Sequence, residues 1–334
     1  MSNKQYPEIL GNMALSDSTS DILQQNLLCQ INNLKVIEIH GADAKKFLHG
    51  QLTNDVEALD KNTLQLNGYC DPKGRLIALF YLIRLTHKYL MIIDQSISSN
   101  VVKRLQMFVL MAEVKFEPSE LQCIGFAQQV SNNTSDLITD AALSPCDASI
   151  DNNGLILARL DGELARHLII GDNNQLGQAW SMLSKDNLIC DNSVWRLLDI
   201  QQGQPTLIEK IQGAFIPQMM NLDLVGGLSF NKGCYPGQEV VARMHHLGKL
   251  KRRMYHLHII CTEQPLAGDG IYSSETNSNE SAGKIVSIVK TKDNEFAALA
   301  VLQIKHKENK DLYLGDDTDT ALSLITMPYE IKES

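Results

Sequence analysis

Between two β-rich runs, Leu64 to Cys70 and Leu76 to Leu85, stands the tetrad Asp71-Pro72-Lys73-Gly74, with proline and glycine placed as a tight turn requires. An antiparallel hairpin follows from it. Its second run holds the longest unbroken apolar stretch, Leu76-Ile77-Ala78-Leu79-Phe80-Tyr81-Leu82-Ile83, and eight residues fall short of the about 20 that cross a bilayer. The first thirty residues hold no apolar segment of signal-peptide length, so no membrane association and a cytoplasmic location are expected. At 334 residues there is room for about two domains, or three small ones.

A composition of 44% hydrophobic and 21% charged residues is globular rather than disordered, collagen-like or coiled-coil. With 30 Lys and Arg against 39 Asp and Glu, the net charge of −9 repels a phosphate backbone unless the cations are gathered in one place. The seven cysteines, at 29, 70, 123, 146, 190, 234 and 261, form no CxxC pair, which fits neither a disulfide framework nor a metal site. Most are expected to be small buried thiols.

Residues 1–30 read as a polar lead-in, of which only Ile22, Leu23, Leu27 and Leu28 need pack on anything. Leu34 to His40 alternates as a strand, and Asp43 opens a helix through Phe47, Leu48 and Leu52. Apolar positions at Val101, Val102, Leu105, Phe108 and Val109 mark a helix capped at Ser98. Strand and helix signals mix over 118–190, with a polar loop at Ser131 to Asp136. A helix over Ser193 to Gln202 is stopped by Gly203 and Pro205. The residues after Gly248 read as a small β-domain, with a polar loop at Ser273 to Ser281.

Chemistry is most legible from Gly226 to Arg243. Pro236 suits the first position of a helix, with Gln238 and Glu239 in the first turn and Gly248 beyond its end. Cys234 would then precede a helix N-terminus, and Lys232 two residues upstream would help favour its thiolate. The alternative is a tight turn holding a small buried thiol.

Lys232 to Glu239 read K-G-C-Y-P-G-Q-E and resemble the K-G-C-Y/F-x-G-Q-E signature of the YgfZ family, folate-binding relatives of the glycine-cleavage aminomethyltransferase, the T-protein. Phe47 to Val56, Cys70 to Arg75, Trp195 to Pro205 and the run Phe215-Ile216-Pro217-Gln218 with Asn221-Leu222 are similar to further family segments. The resemblance implies an α+β fold of three domains in a ring around a central folate channel. These would be a discontinuous folate-binding domain (31–117 with 191–247), a ferredoxin-like domain (118–190) and a C-terminal β-barrel (248–334). It implies tetrahydrofolate or another reduced folate as cofactor, with Trp195, Gln201, Leu34, Tyr235, Gln238, Glu239 and Arg243 on the binding side and Cys234 and Lys232 as the reactive pair. The function implied is that of an accessory factor sustaining iron-sulfur enzymes, among them the tRNA methylthiotransferase, more than that of a turnover enzyme.

Three departures accompany the resemblance. Where the transferases carry an aspartate that assists methylene transfer, this chain has Ala78, which can neither take a proton nor stabilise a cation. The glutamate that recognises pterin nitrogens aligns with Gln201, which loses the charge. A tryptophan wall found in some members aligns with Leu34, leaving Trp195 to stack or to serve as core.

Two other functions compete: a folate-dependent one-carbon transferase or demethylase, and a module docking RNA or protein through the basic segment 243–253. No acidic residue falls between Val240 and Thr262, where Arg243, Lys249, Lys251, Arg252 and Arg253 lie. That segment suits a folate tail or RNA phosphates, or a solvated face paired with acids elsewhere. His245 and His246, adjacent on a helix, point apart and suggest no metal.

Overall fold

The computed structural model describes residues 24–128, 143–162, 164–246, 248–273, 281–307, 312–315 and 320–331. Ile22 and Leu23 of the lead-in, the loop at Ser131 to Asp136 and most of that at Ser273 to Ser281 lie outside the described residues. The first elements are β1 (Leu27–Ile31), β2 (Leu34–His40), α1 (Ala44–Gln51), β3 (Thr63–Cys70), β4 (Leu76–Arg84), β5 (Tyr89–Asp94), α2 (Gln95–Gln106) and β6 (Lys115–Pro118). There follow β7 (Gln122–Gln128), β8 (Ala148–Ile150), β9 (Ile156–Arg159), β10 (Ala165–Gly171), α3 (Asn173–Leu183), β11 (Leu188–Cys190), α4 (Asn192–Gln201) and α5 (Gln238–His246). The chain closes with β12 (Arg252–Ile260), β13 (Gly270–Ser273), β14 (Gly283–Lys292), β15 (Glu295–Gln303), β16 (Leu312–Leu314) and β17 (Ala321–Ile325).

The hairpin forms where the sequence places it. Gly74 takes φ +75°, and the Asp71 carboxylate accepts from the N–H groups of Lys73 and Arg75, so the aspartate closes the turn as much as the proline does. The paired β3 and β4 lead a five-stranded sheet in the order β3-β4-β5-β2-β6, against which α1 and α2 bury Leu48, Ile97, Val101 and Leu105.

The starts of α1 and α2 differ from expectation. The cap of α2 is Asp94, whose carboxylate accepts from Ser96 N at 2.9 Å, so the helix opens a turn before Ser98 and ends at Gln106. Asp43 precedes α1 without capping it, its carboxylate accepting instead from the N–H of Glu113 at 2.8 Å.

The second sheet runs β11-β1-β7-β10-β9-β8, and β1, which begins before residue 31, lies within it, antiparallel to β7 and parallel to β11. One face packs on α3 through Leu28, Phe126 and Ile169; the other receives Val194, Trp195 and Leu198 of α4. Asp191 caps α4 by accepting from Ser193 N at 2.8 Å. The third sheet runs β16-β13-β14-β15-β12-β17, and its outer strands β16 and β17 approach each other, so it is a nearly closed barrel. Val286, Val289, Leu299 and Val301 of this barrel pack on the core of the first sheet. Among the described residues no helix is long and apolar enough to cross a membrane.

Candidate functional site

The three sheets meet around a cavity of about 350 Å³. The first sheet supplies Leu34, Leu79, Phe80, Tyr81 and Ile92, the second Ile31 and Leu168, the third Val286 and Ile288, while α4 contributes Trp195, Arg196 and Asp199. A second cavity of about 440 Å³ shares Leu66, Tyr81 and Gln204 with the first as a common wall, and Asp60, Asp147 and Asp161 also line it.

Behind the wall that α4 forms lies a buried charge. Arg166 of β10, with no exposed surface, donates to the Asp199 carboxylate and lies 5.6 Å from the centre of the Trp195 ring. Burial raises the Asp199 carboxyl above its ordinary range, opposed by the Arg166 charge. Burial, and then the Asp199 charge, push the Tyr81 hydroxyl upward, so it stays protonated as a donor in the wall the two cavities share. Gln204 follows the end of α4, where its N–H donates to Asp199 O at 2.8 Å. Its side chain is buried at 8% exposure, and its Nε2 finds no protein acceptor although it borders both cavities. Exposed Arg196 and Lys210 lie on the rim of the first cavity, Lys210 facing Asp269 at 3.4 Å.

The residues singled out in the sequence fall into two places. Trp195 and Leu34 line the first cavity; Gln201, two residues past Asp199, does not. The carboxylate that α4 brings to the first cavity is Asp199, and the amide without an acceptor is that of Gln204. Neither has a sequence signal of its own, because which side of α4 faces the cavity depends on how the second sheet packs.

Lys232, Cys234, Tyr235, Gln238, Glu239 and Arg243 lie elsewhere, on the loop that leads into α5 and on α5 itself, and none lines either cavity. The helix opens at Gln238 rather than at Pro236, which sets Cys234 back from its N-terminus. Lys232 Nζ donates to the carbonyls of His49, Leu52 and Asn54, the last two at 2.6 and 3.0 Å, and sits 5.1 Å from the centre of the Tyr235 ring. An ammonium has three N–H groups, and all three are engaged, so Lys232 closes the C-terminus of α1 rather than activating Cys234. Burial lowers its pKa to about 8, with Asp55 and Glu57 opposing. Cys234 itself is exposed, unlike the buried Cys29, Cys70, Cys123, Cys190 and Cys261. Tyr235 is buried; Glu239 and Arg243 are exposed; Gln238 Nε2 reaches Lys232 O only at 3.5 Å.

This loop is held to the hairpin turn by Gly237, at φ +81°, where a Cβ would come within 2.4 Å of Asp71 O and 2.5 Å of Gly74 Cα. Lys232 also reaches the second cavity indirectly, because Asn54, whose carbonyl it binds, lines that cavity and donates to Leu66 O and Gly226 O.

Of the five cations in the basic segment, Arg243, Lys249 and Lys251 are exposed, Arg252 is half-buried and Arg253 is interior. Arg253 is buried, paired with the Asp223 carboxylate through both Nη atoms at 2.7 and 2.9 Å. His256 is buried and His258 faces Glu295 at 3.1 Å. His245 stacks on Phe230 at 3.7 Å between ring centres and meets His246 edge-on.

No protein-family model matches the chain. Over 316 residues it is 30% identical to the tRNA-modifying protein YgfZ of Colwellia psychrerythraea, spanning 92% of this chain and 95% of that one. The YgfZ protein of Aliivibrio fischeri is 29% identical over 324 residues, spanning 96% and 97%. Among solved structures, the glycine cleavage system aminomethyltransferase T of Bartonella henselae superposes with a TM-score of 0.73 at 15% identity, over 91% of this chain and 86% of that one. The fold, with its mixed helices and sheets and nearly closed C-terminal barrel, is therefore aminomethyltransferase-like.

Proposed function

The chain belongs to the YgfZ family of tRNA-modifying proteins, and from that premise we propose that it binds a reduced folate, tetrahydrofolate first, in the cavity where its three sheets meet. It serves tRNA modification in the cytoplasm as an accessory factor to an iron-sulfur enzyme such as the tRNA methylthiotransferase.

The observation that carries the folate reading is the buried Gln204 Nε2 without an acceptor, beside the Asp199 carboxylate and the Trp195 ring. A pterin has a flat ring, N–H donors and a carbonyl on one edge. Trp195 and Leu34 would cover the ring, Asp199 would accept from its N–H groups and Gln204 would donate to its carbonyl. Arg196 and Lys210 on the rim suit the carboxylates of the tail. Bound there, reduced folate supplies a carrier for a one-carbon unit. Tyr81, kept protonated, and Gln204 form part of the wall shared with the second cavity. Ala78 supports an accessory role over turnover, because a methyl group offers no acid or base on that strand. Exposed Cys234, on a loop apart from the folate cavity, is the group available to a client protein.

Calorimetric titration of the full chain with tetrahydrofolate tests the reading. Saturable binding is expected, weakened about tenfold by Gln204→Leu, which removes one buried hydrogen bond, and further by Trp195→Ala. No binding up to millimolar folate, or binding indifferent to both substitutions, overturns it. Restoration of tRNA methylthiolation in a deletion strain by the wild-type chain, but not by Cys234→Ser, tests the accessory role.

A further inference from the structure

Cys29 of β1 and Cys190 of β11 stand directly opposite one another on neighbouring parallel strands. Both belong to the apolar cluster that includes Trp195, so both side chains leave the same face of the sheet, and the Cys190 thiol donates to Leu188 O at 3.7 Å. Neighbouring strands lie about 4.8 Å apart, within the range of about 4.4–6.8 Å over which two Cα atoms can be bridged by a disulfide. We propose that Cys29 and Cys190 form a peroxide-responsive dithiol that closes to a disulfide within the folded protein and fastens β1 to the edge strand β11.

The two cysteines have different parts in this step. Cys29 is fully buried, whereas Cys190 retains 6% exposure on a three-residue strand that pairs on one side only. An edge strand this short opens locally at little cost, which admits a small oxidant such as hydrogen peroxide. Of the two, Cys190 is the more accessible and the one whose thiol its neighbour lowers, while that of Cys29 is raised, so Cys190 is the first to react. The Cys190 thiolate attacks one peroxide oxygen, the O–O bond breaks, and after protonation the products are a sulfenic acid and water. Cys29 sulfur, losing its proton, then displaces hydroxide from that sulfenic acid; the S–S bond forms and a second water leaves. Two thiols are oxidised by two electrons and one peroxide is reduced to two waters. The residue after Cys190 is Asp191, the cap of α4, so the bond also fixes the start of the helix that carries Trp195 and Asp199.

The test uses the reduced full-length chain, graded hydrogen peroxide, N-ethylmaleimide added in denaturant, and peptide mass mapping. The expected product is a peptide joining Cys29 to Cys190, lighter by two hydrogens, with labelling of both positions reduced about tenfold and restored by a reductant. In Cys29→Ala, Cys190 proceeds to sulfinic acid, because no second thiol traps the sulfenic acid; in Cys190→Ala, Cys29 stays reduced. The idea is overturned if both positions remain fully labelled at peroxide levels that already oxidise exposed Cys234, or if the bond that forms joins any other pair. The wild-type map decides the matter even where a variant fails to fold.

Discussion

Arg166 donates to Asp199 beneath the Trp195 ring, and the arginine has no exposed surface at all. A charge buried so completely is tolerated only while its partner is present, since the desolvation cost is met by that one carboxylate. Asp199→Asn should therefore destabilise the fold by about 3 kcal/mol, more than an ordinary lost hydrogen bond. In Arg166→Met with Asp199→Leu, which removes both charges, much of that loss should return. Urea unfolding of the wild type and these two variants checks this; a double variant no more stable than Asp199→Asn would show that the pair is not coupled.

Lys232 is the residue whose sequence role and structural role diverge most. Its three bonds to the carbonyls of His49, Leu52 and Asn54 end α1 and anchor the Cys234 loop. Lys232→Met should cost about 3 kcal/mol by leaving three carbonyls without a donor, while Cys234→Ser, at an exposed site, should change stability by less than about 0.5 kcal/mol. Denaturant midpoints separate these cases, and equal losses for the two variants would remove Lys232 from its anchoring role.

Gly237 makes a sharper test of the same loop. A Cβ at this position meets the backbone of Asp71 and Gly74, and φ +81° disfavours any side chain. Gly237→Ala should cost about 2 kcal/mol or more and loosen the loop from the hairpin. Faster alkylation of Tyr235-adjacent Cys234 than in the wild type is the expected readout, and an unchanged rate with unchanged stability contradicts the close approach.

Much of this fold was legible locally. The hairpin at Asp71 to Gly74 and the α4 start at Asp191 follow from residues in contact with their own neighbours in sequence. What was not legible depended on distant partners. Asp43 resembles a cap, yet its carboxylate is taken by Glu113, 70 residues away. Arg253 reads as one of a run of surface cations, yet Asp223 draws it into the interior. The octapeptide marks a loop that matters, but Asp199 and Gln204 of the cavity wall lie within Trp195 to Pro205, a segment whose resemblance to the family does not single them out. Helical spacing places Asp199 relative to Trp195, and the turn after α4 places Gln204; only the packing of three sheets decides what they face.

Acid should weaken the protein through two buried histidines. Burial holds His167 at about 4, with Arg159 adding to the effect, and holds His256 at about 4, with His258 adding to it. In the unfolded chain each takes its proton near 6.5, so between 6.5 and 4 the unfolded state binds more protons and stability falls with falling pH. Above 6.5 both are neutral in either state and contribute no slope. Each histidine can account for up to about 3 kcal/mol of loss across that window. Urea midpoints at the two ends of it should differ strongly in the wild type, by less in His167→Phe or His256→Phe, and least in the double variant. A double variant that loses as much stability as the wild type would place the acid sensitivity on other groups.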